Sequence, residues 1–213
     1  MDAERRRELT EAYRRLAPAY DSGLARAQRF RLWPRTHERA VDRLDLRPGD
    51  VVLDVGCGTG LSFPFIEERL GPSGRIVGID LSPDMLALAR ERADAAGWEN
   101  VTLIESAVEE AEIPAVADAA LFHFAGEIMR SRAALANVFA NLKAGGRVAA
   151  AGARREPWWL APVNAYVWFF ARRFLDPREC LGPFVPDLRV ERVGLGGVYV
   201  AWGTAATPGQ AEA

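Results

Sequence analysis

Val51-Val52-Leu53-Asp54-Val55-Gly56-Cys57-Gly58-Thr59-Gly60 is the stretch whose reading decides the fold. An apolar run of strand length gives way to glycines at three alternate positions, and Leu61 to Leu70 then reads as a helix. A strand, a tight turn and a helix start let backbone come close to a ligand. Glycine reaches positive φ and carries no Cβ to block that approach. Twenty residues beyond Gly60, a second apolar run, Arg75-Ile76-Val77-Gly78-Ile79, ends in Asp80. A carboxylate at the tip of the next strand is placed to accept hydrogen bonds from the two hydroxyls of a ribose. The pattern implies a cofactor that contains a nucleoside.

Glycine spacing narrows the choice of cofactor. Dinucleotide folds use G-x-G-x-x-G, whose loop and helix N-terminus hold a pyrophosphate. Here the third glycine comes one residue early, and Leu61 stands where that pattern wants glycine. Leu53-Asp54-Val55-Gly56-Cys57-Gly58-Thr59-Gly60 instead resembles motif I of the class I S-adenosylmethionine (SAM)-dependent methyltransferases, and Gly78-Ile79-Asp80-Leu81-Ser82 resembles their acidic ribose motif. The likeness runs from about Tyr13 to about Gly152 and includes Leu142-Lys143-Ala144-Gly145-Gly146 leading into a strand. It implies an α/β fold: a doubly wound, Rossmann-like three-layer sandwich around a seven-stranded, mostly parallel sheet with a reversed final strand. It also assigns SAM to Tyr20, Asp54, Gly56, Cys57, Gly58, Gly60, Asp80, Leu81, Met85, Ala107, Val108 and Phe124. Tyr20 belongs to Tyr13-x-x-x-Ala17-x-x-Tyr20-Asp21, which resembles the family's N-terminal cover, where an aromatic ring closes over the methionine end of the cofactor. A sulfonium beside tyrosine gains cation–π attraction. Family members commonly carry an aspartate near Ala107 for the adenine amino group. With alanine there, adenine would be held by backbone and by packing on Ala107 and Val108.

A chain of 213 residues, 49% of them apolar, is long enough for one α/β domain with a good core and leaves little for a second. Residues 1–47 read as a helical cover, 48–203 as the SAM-binding domain and 204–213 as a flexible small-residue tail. A net charge of −2 argues against a nucleic-acid surface. Cys57 and Cys180 make neither a disulfide framework nor a metal cluster, and no set of carboxylates suggests metal-dependent catechol methylation. Met1-Asp2-Ala3-Glu4-Arg5 is followed by no apolar segment, so the expectation is a cytoplasmic protein without a signal peptide.

Within the main domain, Ser82-Pro83-Asp84 is a helix start, with an N-cap, a proline at the first helical position and an acid at the positive end of the dipole. Gly97 ends that helix, and Val101 to Glu105 reads as a third strand. Asp118 to Phe124 reads as a fourth strand, Ser131 to Leu142 as a helix, Lys143 to Gly146 as a stop and Arg147 to Ala151 as a fifth strand. Asp176 to Pro186 reads as a loop; Leu188 to Val193 and Val198 to Trp202 read as two strands joined by a glycine turn.

Methyl transfer from a sulfonium asks the protein mainly to position donor and acceptor, an effect worth on the order of 7–11 kcal/mol. A base is needed only where the acceptor loses a proton. His123, at the tip of the fourth strand, is the candidate, since an ordinary imidazole pKa near ~6.5 suits proton acceptance at neutral pH. The other reading of His123, a hydrogen-bonded side chain that shapes the pocket, stays open. Glu127 is a weaker candidate, and His37, on an apolar helical face, reads as structural. His123-Phe124-Ala125-Gly126-Glu127 stands where enzymes of planar nitrogen carry Asn/Asp-Pro-Pro-aromatic, which counts against nucleobase or protein-amide acceptors.

The acceptor expected is therefore a small or lipid-like molecule methylated on O, N or C. The alternative is a protein that binds SAM or its product without chemistry. An aromatic segment within 157–186, from Trp158 to Phe174, is nearly apolar all round. Three readings of it compete: a lid over the acceptor that uses Trp159 and Tyr166, an interfacial helix on a membrane surface, and a homodimer or core contact.

Overall fold

The computed structural model describes residues 11, 35–153, 175–193 and 197–206. The predicted N-terminal cover with Tyr13 and Tyr20, the aromatic segment with Trp159 and Tyr166, and the last seven residues lie outside them. In chain order the elements are α1 (Thr36–Asp42), β1 (Val51–Val55), α2 (Phe63–Leu70), β2 (Arg75–Asp80), α3 (Pro83–Ala96), β3 (Val101–Glu105), β4 (Ala117–His123), α4 (Gly126–Arg130), α5 (Arg132–Ala140), β5 (Leu142–Ala153), α6 (Pro177–Leu181), β6 (Arg189–Val193) and β7 (Val198–Thr204). A 3₁₀ turn covers Val108–Glu110.

The strands form one sheet in the order β3-β2-β1-β4-β5-β7-β6. Neighbours from β3 to β5 run parallel, while β7 runs antiparallel to both β5 and β6. The last strand is thus the reversed one, slotted inside β6, which leaves β6 at the edge. Strand residues alternate between faces. Leu53, Val77, Ile79, Ala120, Phe122, Val148 and Ala150 pack with α4, α5 and α6. Val52, Ile76, Ala119, Leu121, Ala149 and Ala151 pack with α1, α2 and α3. Two hydrophobic layers sandwich the sheet, as the resemblance implies. Phe63, wholly buried in the second layer, contributes about 1.5–3 kcal/mol by its burial alone.

Helix starts follow the predicted chemistry. Ser82 accepts from the Met85 amide at 3.4 Å, and Gly97 closes α3 in the left-handed region at φ 71°. Ser131 caps α5 through the Ala134 amide at 3.2 Å. Elsewhere the structure departs from the expected boundaries. α2 starts at Phe63, with Pro64 in its first turn, because residues 56–62 are taken up by the turn after β1. β5 begins at Leu142, so the expected stop at Lys143–Gly146 is drawn into the sheet as an irregularity between the Ala117–Leu142 and Ala119–Arg147 pairs, with Gly145 at φ 70°. The expected loop 176–186 holds α6, capped by Asp176, whose carboxylate accepts from the Arg178 amide at 3.0 Å. β7 runs to Thr204, whose amide and hydroxyl bond Asp187, so the predicted tail begins later than residue 204. α1, assigned to the cover by sequence, is part of the helical layer: Ala40 and Val41 are fully buried in it. Among the described residues, no helix is long and apolar enough to cross a membrane.

Candidate functional site

The order of the sheet reverses between β1 and β4, because β2 and β3 lie to one side of β1 and β4 and β5 to the other. In open α/β sheets ligands bind beyond the carboxyl ends of the strands at such a switch point. The turn after β1, the tip of β2 and the tip of β4 all converge there.

The turn after β1 is folded back onto β2. The amides of Gly56 and Cys57 donate to the Ile79 carbonyl at 2.8 and 3.1 Å. The Gly58 amide donates to Asp80 Oδ2 at 2.9 Å, and the Ser82 amide donates to Oδ1 at 2.9 Å. Asp80 therefore orders the loop as well as facing it. Burial raises its pKa, opposed by the amides of Ser82, Gly58 and Leu81. Its backbone carbonyl also accepts from the Ser106 amide at 3.1 Å, which ties in the tip of β3. The Arg92 Nε donates to the Thr59 carbonyl at 2.9 Å from α3.

The three glycines of the turn do different things. All have positive φ: 74° at Gly56, 54° at Gly58 and 72° at Gly60. A Cβ at Gly56 would lie 2.8 Å from Ile128 Cδ1, and one at Gly60 would lie 2.6 Å from the Phe63 ring. Those two are required by packing. Among the described residues a Cβ at Gly58 would meet nothing within 4 Å, so this is the point where the turn presents bare backbone.

Asp54 is the most unusual group in the site. It lies in β1 with 1% of its surface exposed, and among the described residues neither carboxylate oxygen has a hydrogen-bond partner. Burial, and then the charge of Asp80, push its pKa up to about 7; the Ser62 hydroxyl beside it opposes this without making a full hydrogen bond. An unpartnered buried carboxylate is costly. A cation or a set of N–H donors placed against it would remove that cost. Burial, then Asp54 and Asp80, raise the neighbouring Cys57 thiol well above its ordinary range, so it is a packing group.

Of the other residues assigned to SAM, Leu81 is half-buried at the tip of β2, and Met85 is 2% exposed in the first turn of α3. Ala107 and Val108 follow β3, 3% and 4% exposed, with the Val108 carbonyl accepting from Asn137 Nδ2 at 2.7 Å. Phe124 directly follows β4 at φ 54°, an uncommon conformation for a bulky side chain, held by its amide on the Ala151 carbonyl at 2.8 Å. Such outliers cluster at functional sites.

His123 ends β4 on the same face as Asp54. Its Nε2 lies 2.9 Å from Thr36 Oγ1, and its ring stacks on His37 at 3.5 Å between centroids. Burial, then His37, lower its pKa well below the usual value. Burial, then Arg92, bring His37 down to about 4. Both rings are neutral at physiological pH. Sequence reading placed His123 at the crevice, set His37 aside as structural and did not single out Thr36. The signal for His37 was its place on the apolar face with Ala40, Val41 and Leu44. Glu127 lies in the first turn of α4, after the crevice residues.

Residues 52–146 match a family model described as a methyltransferase domain. Among curated proteins, the chain is 28% identical over 102 residues to a demethylmenaquinone methyltransferase of Symbiobacterium thermophilum, covering 48% of this chain and 40% of that protein. The chain thus spans less than half the length of this relative. Among solved structures, a SAM-dependent methyltransferase from Aquifex aeolicus superposes with a TM-score of 0.57 at 19% identity, covering 80% of this chain and 89% of that one. An RNA methyltransferase from Salinibacter ruber, solved with S-adenosyl-L-homocysteine, superposes at 0.56 with 23% identity, covering 80% and 90%. At these identities the superpositions establish the fold.

Proposed function

We propose that this chain, whose residues 52–146 match a methyltransferase-domain family model, is a class I SAM-dependent methyltransferase that transfers a methyl group to a small or lipid-like acceptor. One observation carries the reading. Bare backbone at Gly58, an unpartnered carboxylate at Asp54 and a second carboxylate at Asp80 stand together at a switch point, with an imidazole at the tip of the adjacent β4. When bound, SAM supplies a methyl group activated on a sulfonium. Asp80 takes the ribose hydroxyls with lone pairs left over from the Gly58 and Ser82 amides. Asp54 balances the amino group of the methionine part. Leu81, Met85, Ala107 and Val108 line the adenine, and Gly56, Cys57, Gly60 and Phe124 shape the turn and the neighbouring strand tip. His123 takes the acceptor's proton. The demethylmenaquinone named for the curated relative supports an acceptor of lipid-like kind.

Label transfer from radioactive SAM to fractionated cell extract, with demethylmenaquinone as a defined probe, tests the reading. Label should enter the lipid or small-metabolite fraction. Label confined to nucleic acid or protein would overturn the acceptor class, and SAM binding without transfer to any fraction would favour a binding protein.

The Asp54 carboxyl makes a second expectation specific. With its pKa near 7, it is partly protonated at neutral pH in the free protein. A cationic amino group beside it favours the charged form, so SAM binding should release a fraction of a proton between about pH 6 and 7. Calorimetric binding enthalpies in buffers of different ionisation heat would read this directly. Asp54→Asn should remove the release. Proton uptake in the wild type, or release unchanged in the variant, would take Asp54 out of that role.

A further inference from the structure

The placement of His123 as the acceptor-side base, on which this inference rests, leaves open which of its nitrogens takes the proton. His123 and Thr36 are 87 residues apart in sequence, yet Nε2 and Oγ1 approach to 2.9 Å. Thr36 is fully buried at the start of α1, and the next residue, His37, lays its ring over His123 at 3.5 Å with 23° between the planes. A ring covered on one face and held at one nitrogen has little freedom to turn.

α1 is itself fixed in register. The Arg43 guanidinium sits 4.0 Å over the Trp202 ring of β7 and donates to Glu191 of β6 at 2.5 Å. Asp42 pairs with Arg69 of α2. Contacts of this exposed kind are individually weak. With Ala40, Val41 and Leu44 fully buried beside them, they set where the first turn of α1 meets the tip of β4.

A neutral imidazole has one N–H and one lone pair. Nε2 faces Thr36, so the nitrogen left to accept a proton is Nδ1. Nδ1 carries a lone pair only when the hydrogen is on Nε2, and then the threonine oxygen must be accepting. We propose that Thr36 is a positioning residue whose hydroxyl oxygen accepts the Nε2–H of His123, selecting the tautomer that leaves Nδ1 free for the acceptor's proton. In that step the acceptor's bond to hydrogen breaks, the proton bonds to Nδ1, and the electron pair stays on the acceptor atom. The imidazolium that results donates from Nε2 to Thr36 more strongly, because the bond is now charge-assisted. His37, kept neutral by burial and then by the charge of Arg92, adds no second positive charge to the stack. A Thr36 that instead donated to Nε2 would put the hydrogen on Nδ1 and make that nitrogen a donor, unable to act as a base.

Long-range proton–nitrogen spectra of the histidine rings test this in the free protein, without an acceptor. Wild type and Thr36→Ser should show the Nε2–H tautomer of His123 in roughly tenfold excess, with a slowly exchanging ring proton. Thr36→Val, of nearly the same shape, should exchange that proton at least about tenfold faster and bind SAM as the wild type does. A Nδ1–H tautomer in the wild type, or a Thr36→Val spectrum unchanged from wild type, would overturn the proposal. Should Thr36→Val fail to fold, the wild-type tautomer and its retention in Thr36→Ser decide. Failure of the base reading looks different: His123→Asn would transfer label from SAM into extract at the wild-type rate while the wild-type tautomer stayed as expected.

Discussion

Asp80→Ala is expected to weaken SAM binding by about a hundredfold or more. If Asp80 takes the ribose hydroxyls, two hydrogen bonds to a carboxylate are lost, each worth roughly 1.5–3 kcal/mol because the acceptor is charged. The same substitution also removes the acceptors of the Gly58 and Ser82 amides, so the turn after β1 loses its anchor on β2. Asp80→Asn separates the two effects. Its amide oxygen still accepts one of those bonds, but its NH₂ faces a backbone N–H and cannot accept the other. It should therefore bind more weakly than the wild type and more tightly than Asp80→Ala. Titration calorimetry with SAM, alongside melting temperatures of the free proteins, reads both. Wild-type affinity in Asp80→Ala would remove Asp80 from the site. A variant that binds weakly only because it is unfolded would be exposed by its melting curve.

What the sequence made legible here was whatever backbone chemistry dictates locally. Three alternate glycines after an apolar run announce a turn with positive φ, and Asp80 stands at the one position where a strand tip can meet that turn. The sequence could not divide the glycines: Gly56 and Gly60 answer to Ile128 and Phe63, contacts that exist only after folding, whereas Gly58 answers to no neighbour among the described residues. The glycine turn between β6 and β7 correctly implied an antiparallel pair. It carried no information on which of the two would lie beside β5, since that is settled by the long-range pairing of Ala153 with Val198 and of Ala150 with Ala201. α6 is a different kind of miss. Asp176-Pro177 is the same N-cap and first-turn proline chemistry that marked α3 at Ser82-Pro83, and it was legible. Thr36 and His37 were not, because their meaning comes from His123, which lies far along the chain.

His123→Asn carries the other large effect. If the imidazole accepts the acceptor's proton, its loss should lower turnover by about 10²–10⁴-fold while SAM affinity barely moves. Asparagine is the apt replacement because its amide can fill part of the ring's space and bond Thr36 but cannot take up a proton. The pH profile gives the sharper test. A base works in its unprotonated form, so wild-type activity should fall as pH drops through the pKa of His123. Burial and the stacked His37 ring hold that pKa well below the ordinary histidine value. The acid limb should accordingly lie below pH ~6.5, with activity flat through neutrality, and His123→Asn should lack that limb. The low pKa also makes His123 a weaker proton acceptor, which fits an acceptor group whose own proton is acidic, such as a phenol, better than an alcohol. Loss of SAM binding together with turnover would make His123 a cofactor contact or a structural residue, and an unchanged rate with an unchanged acid limb would end the base assignment.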